Sequence, residues 1–169
     1  MAYVAVNELE HFHFHDAEIK KLEFIDNQMI WKASAVNAER TNTQNDLGIA
    51  MCINDAEMIF EGVIIDSLVI GAHMTYDHNK NLIETKEAKT VKPSEYITLL
   101  QETVNDYCWI NGMGNVVILE DGRYKAGFDI VGHEDVFFLT IIFTKSTVKW
   151  ENYSGKAYYE HKKWNKPQS

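Results

Sequence analysis

Apolar and polar residues alternate along much of this chain with the period of two that a half-buried β-strand requires. Ala17–Ile25 carries Ile19, Leu22 and Phe24. Their parity changes between Ile19 and Leu22, which predicts a bulge near Lys20–Lys21. Asp26–Asn27 supplies turn chemistry, because short polar side chains tolerate positive φ. Met29–Val36 returns as a second strand, with Met29, Trp31, Ala33 and Ala35 on one face. The polar run Glu39–Asp46 reads as a loop. Leu47–Ile53 is a third strand, and Met58–Ala72 a longer one with Gly62 as a bulge or bend. Tyr76–Asn81 is a polar turn, and Leu82–Lys92 is charged and gives no clear period.

The period changes to 3.6 after Pro93. Tyr96, Leu99, Leu100, Val104 and Tyr107 recur at helical spacing, while Glu95, Thr98, Gln101, Glu102 and Asn105 face away. The spacing predicts a helix over Ser94–Tyr107 with Ser94 as its N-cap. Strands then resume. Val116–Glu120 and Arg123–Val131 flank Asp121–Gly122, a two-residue hairpin signal. Val136–Thr144 is apolar on both faces, as a central strand is. Thr147–Glu151 and Ala157–His161 finish the sheet. Strands grouped around one helix predict an α+β fold: a single mainly antiparallel β-sheet with one amphipathic α-helix packed on a face.

The chain's 169 residues suit one domain, spanning 1–169, with a polar tail over 162–169 expected to fray. Only Pro93 and Pro167 are prolines, and no Gly/Ser-rich linker divides the chain. The formal net charge is −9. That charge repels phosphate backbones, so nucleic acid is not an expected partner, whereas a basic protein is. Cys52 and Cys108 sit in apolar stretches without a CxxC pair and read as reduced thiols. No basic start leads into a long apolar run, so neither a signal peptide nor a membrane segment is expected, and the predicted location is the cytoplasm.

Few motifs carry chemistry. In His11–Phe12–His13–Phe14–His15–Asp16, an extended chain would put the three histidines on one face. Its outer Cα atoms would lie roughly 13 Å apart, too far for one ion. A site for Zn or a similar divalent metal would therefore combine His13 and His15 with Asp16 and His73. Asp77, Asn79 and Asn81 match the first positions of a calcium loop, but Leu82 and Ala88 occupy its glycine and glutamate positions, which leaves a solvated turn. Asn111–Gly112–Met113–Gly114–Asn115 precedes a strand instead of a helix, so it reads as a connecting turn. His133–Glu134–Asp135 reads as a polar loop. No Gly-x-Ser-x-Gly elbow or cysteine signature is present, and no catalytic residue is assigned. Near the end, Trp150, Tyr153, Tyr158, Tyr159 and Trp164 form an aromatic run, some of it suited to anchoring an interface.

Two pieces together, Phe14–His15–Asp16–Ala17–Glu18–Ile19 and Trp150–Glu151–Asn152–Tyr153–Ser154–Gly155–Lys156–Ala157–Tyr158–Tyr159, carry a resemblance. They resemble small bacterial α+β domains with an early His-Asp-x-x-Ile motif and a late Trp…Gly-x-Ala-aromatic motif. Some of these are grouped with immunity proteins of polymorphic toxins. The resemblance implies a shared fold and an immunity-like role, with a basic toxin-like protein as partner; it transfers no catalytic residue. The expectation is a cytoplasmic binding protein that uses its acidic surface and exposed Trp150, Tyr153, Tyr158 and Tyr159. The alternative is a metal-binding module or metal-dependent hydrolase built on His13, His15, Asp16 and His73, and a homodimer is a third reading.

Overall fold

The computed structural model describes residues 2–162. In chain order the strands are β1 (Tyr3–Val6), β2 (Phe12–His13), β3 (Ala17–Ile25), β4 (Gln28–Ser34), β5 (Val36–Ala38), β6 (Met51–Ile53), β7 (Ala56–Glu61), β8 (Ile64–Ile70), β9 (His73–Tyr76), β10 (Leu82–Lys86) and β11 (Lys89–Thr90). Helix α1 (Tyr96–Asp106) follows. Then come β12 (Trp109–Met113), β13 (Val117–Ile118), β14 (Tyr124–Val131), β15 (Val136–Phe143), β16 (Lys145–Trp150), β17 (Gly155–Lys156) and the short helix α2 (Tyr158–Lys162).

The expected antiparallel sheet forms, but it is not single. The main sheet runs β1-β16-β7-β4-β3-β12-β14-β15-β8-β11, with β13 added on β14. A second sheet, β17-β6-β5-β2, joins the two ends of the chain, and β9–β10 is a separate hairpin. Local breaks cause the division. Ala35 adopts φ 56°, a left-handed conformation that ends β4 and redirects the chain into β5. Met29, Trp31 and Ala33 do share a buried face, but Val36 belongs to the second sheet.

The main sheet curls over on itself. Phe128 of β14 lies 4.9 Å from Trp31 of β4, ring centre to ring centre. Those strands are three positions apart, roughly 14 Å in a flat sheet. A shared corner lets the sheet turn. β7 passes into β8 through Gly62 at φ +59°, and β15 passes into β16 through Thr144 beside it. Thr144 N–H and Oγ1–H both donate to the Glu61 carbonyl, at 2.9 and 3.0 Å. Trp31, Phe60, Phe128 and Phe143 fill the enclosed core edge to face. Helix α1 packs across β3 through Tyr96, Leu100 and Val104.

Several local expectations hold. The bulge falls between Ile19 and Lys21, and Asp26 and Asn27 both take positive φ, as a tight hairpin turn needs. Tyr76–Asn81 is a solvated turn: Asp77 Oδ1 accepts from the Asn79 and Asn81 backbone N–H groups. Others are corrected. The Met58–Ala72 strand is divided at Gly62, and the Leu47–Ile53 strand shrinks to Met51–Ile53 because Leu47 points to solvent. The helix begins at Tyr96, not Ser94. Pro93 opens a 3-10 turn, Glu95 holds the cap position, and no side chain caps it.

Tyr107 leaves the helix in an extended conformation and is exposed. The Asp121–Gly122 turn is longer than two residues: Gly122 N–H bonds Leu119 O and Leu119 N–H bonds Arg123 O, with Gly122 at φ 87°. Asn111–Gly112–Met113 lies in β12, with a bulge between Ile110 and Gly112, instead of in a turn. β15 is flanked on both sides, yet only Phe137, Leu139, Ile141 and Phe143 are buried; Val136 and Phe138 face out. Ala157–His161 is not a strand. Its residues enter α2, held by Glu160 Oε1, which accepts the Ala50 N–H at 3.1 Å. No described helix is long and apolar enough to cross a membrane. The 163–169 part of the expected frayed tail lies outside the described residues.

Candidate functional site

The early His-Asp motif builds a tight turn. Ala17 N–H bonds Phe14 O, and Asp16 takes φ 68°. The turn is fastened to β12: His15 Nδ1 lies 2.7 Å from the Asn111 carbonyl oxygen, and Asp16 N–H donates to Ile110 O. A carbonyl only accepts, so the imidazole carries a proton on Nδ1. His11 sits in a 3-10 turn and bonds Thr41 Oγ1, so the three histidines do not line one strand. His13 and His15 meet edge to face at 6.1 Å, and Asp16 Oδ2 is 3.8 Å from His15 Nε2. His73 is on the separate β9–β10 hairpin, paired with Lys86. Among the described residues, no group of three or more His, Cys, Asp or Glu side chains is placed to hold a metal ion. His13, His15, Asp16 and His73 are thus not assembled as such a group among the described residues.

The late motif is mostly turned inward. Trp150 is 2% exposed, stacked on Tyr3 at 5.2 Å and edge-on to Phe12. Tyr153 donates its hydroxyl to Gln44 O, and burial, reinforced by Tyr3, pushes that hydroxyl up to about 12. Tyr159 hydrogen-bonds the Glu39 carboxylate. Burial first, and that bond second, hold its hydroxyl far above the usual phenol range. Of the four aromatic residues expected at an interface, Tyr158 is the exposed one. Trp164 lies outside the described residues. The two motifs do meet: β2 and β17 are the outer strands of the small sheet, and the His13 ring lies 5.2 Å from that of Tyr159.

A different surface gathers exposed aromatic rings and carboxylates. It forms where α1 gives way to β12. From Tyr107 onward the chain is extended, so alternation puts Cys108 and Ile110 inside and Tyr107 and Trp109 outside. The Tyr107 ring is 6.0 Å from Trp109 and 6.3 Å from His133. Asp16, Tyr107, Trp109, Ile110, Asn111 and Val131 line a concavity of about 300 Å³. A neighbouring one of about 280 Å³ lies between Glu102, Thr103 and Asp106 of α1 and Gly132–Asp135.

No protein family, curated protein or solved structure matches this chain.

The charge of this surface is one-sided. Asp16, Glu102, Asp106, Glu134 and Asp135 line the two concavities, and no lysine or arginine does. His133 Nδ1 lies 3.4 Å from Asp106 Oδ2, both of them exposed. The C-terminal turn of α1 contributes Asp106 to this surface and holds no basic residue to offset the negative end of the helix dipole. Chemically, such a surface attracts cations and presents flat rings to them. Sequence reading missed it because Tyr107 fits the helical period. The legible signal was the Tyr107–Cys108–Trp109 alternation that follows.

Proposed function

We propose that this is a cytoplasmic binding protein of the immunity type, which holds a basic protein partner against the acidic, aromatic surface at the end of α1. The observation that carries this reading is the lining of the two adjoining concavities: five carboxylates, the exposed Tyr107 and the half-exposed Trp109, with no lysine or arginine. Opposed charges speed encounter and reject partners of the wrong sign, and aromatic rings supply the contact area. The net charge of −9 acts in the same direction at longer range. The resemblance of the His-Asp and Trp…Gly-x-Ala segments to immunity proteins agrees with a basic toxin-like partner; the first segment contributes Asp16 to the surface, while the second fastens the fold.

The test uses the full chain and its Glu102→Gln/Asp106→Asn/Asp135→Asn variant as baits in parallel. The wild type should retain a stoichiometric protein with a basic face, which high salt releases and the neutralised variant fails to hold. A partner retained equally by both baits, or none retained by either, overturns the reading.

A further inference from the structure

We infer that the concavity bounded by Tyr107, Trp109 and Asp16 is an anchor pocket for one arginine side chain of the partner. The inference rests on the proposed function and specifies the chemistry of one point in it. At about 300 Å³ the concavity is at the small end of ligand pockets, the scale of a single side chain. Its rings are 6.0 Å apart and inclined at 44°, so they do not cover each other's faces. A planar guanidinium stacks on such a face, whereas a lysine ammonium makes only a point contact.

The carboxylate is placed for the same ligand. Asp16 is held in a left-handed backbone conformation and tied to β12 by its N–H bond to Ile110 O. Its side chain is about two-thirds exposed. The imidazole of His15 lies beside it, with Nε2 3.8 Å away. The other ring nitrogen, Nδ1, is taken up by the Asn111 carbonyl, and no lysine or arginine lines the concavity beside Asp16. A second carboxylate, Glu18, lies directly opposite Trp109 in the β3–β12 ladder, and paired residues share a face. The rings thus offer a stacking surface, and Asp16 and Glu18 offer acceptors for the guanidinium's fork of donors.

The probes are acetyl-arginine amide, acetyl-lysine amide and the uncharged isostere acetyl-citrulline amide, titrated into the full chain. The readout is the Trp109 indole N–H resonance in NMR, assigned with Trp109→Phe. Arginine should move it saturably, in the millimolar range expected of a fragment. Lysine should bind about threefold more weakly, and citrulline should leave the resonance in place. Asp16→Asn keeps the turn, since asparagine tolerates positive φ, and should weaken arginine about two- to fivefold. An unmoved indole resonance, or an equal response to citrulline, overturns the anchor. If partner capture still depends on Glu102, Asp106 and Asp135 in that case, the anchor alone falls; if capture fails too, the reading beneath it falls as well.

Discussion

His15 Nδ1 and the carbonyl oxygen of Asn111 lie 2.7 Å apart, joining residues 96 positions distant in the chain. The bond fastens the turn before β3 to the bulge of β12, two residues beyond Trp109. His15→Ala should lower stability by about 1 kcal/mol, the net worth of one such bond. It should also broaden the Trp109 indole resonance. The urea midpoint measures the first effect and NMR the second; a variant unchanged in both would show that the bond does not organise the surface.

Gly62 supports the corner that curls the main sheet. A Cβ there would stand 2.9 Å from Thr144 Oγ1 and 3.0 Å from its Cγ2, and the backbone has φ +59°. Gly62→Ala should cost about 1–3 kcal/mol, from the clash and the left-handed backbone together. Adding Thr144→Ala removes both nearest atoms and should recover the clash portion while leaving the backbone portion. A thermodynamic cycle in urea separates the two, and strictly additive costs would contradict the contact.

Asn45 organises the loop between β5 and β6. Its amide donates to the Ala38 and Ile49 carbonyls at 3.1 and 2.8 Å, and its Oδ1 accepts from Leu47 N–H. The residue is buried, so deleting the amide strands carbonyls away from water. Asn45→Ala should cost about 2–4 kcal/mol and make the loop the first site of proteolytic cleavage. Cleavage first at the exposed β9–β10 hairpin in wild type and variant alike would contradict that.

Alkaline pH should destabilise the fold. Burial pushes the Cys108 thiol from its usual 9.0 up to about 12, and Tyr153 from 10.0 to about 12, while Tyr159 is raised further. The unfolded chain loses these protons near pH 9 and 10; the folded chain keeps them. The folded state therefore binds more protons in that window, so the stabilisation is fully present below pH 9 and is lost as pH rises toward 12. Urea midpoints should be flat near neutrality and fall above pH 10. A midpoint that holds or rises there would refute the assignment.

The same burial separates the two thiols. Cys52 is half-buried, with Sγ 3.7 Å from Asn54 Oδ1, whereas Cys108 is buried. Native protein at mildly alkaline pH should take up about one equivalent of an alkylating reagent, on Cys52, and two after denaturation. Peptide mapping locates the label, and rapid native modification of Cys108 would be inconsistent with its burial in the core.

Local chemistry explains what the sequence determined by itself. The Ile19–Lys21 bulge, the Asp26–Asn27 turn, the bend at Gly62 and the buried stripe Tyr96–Leu100–Val104 each depend on a few neighbouring residues, and each is present. What only the tertiary structure decided depends on distant partners. Ala35 in a left-handed conformation separates β4 from β5 and so places β5 in a second sheet, where alternation predicts one. Ala157–His161 has a strand-like composition, yet it coils into α2, where Glu160 meets the Ala50 N–H across 110 residues. Trp150 is an anchor by residue type and core by position, because Tyr3 and Phe12 cover it. The acidic surface has the same origin: Asp16, the Asp106–Trp109 stretch and Asp135 come from three segments of chain, and their proximity is a property of the folded sheet and not of any one stretch of sequence.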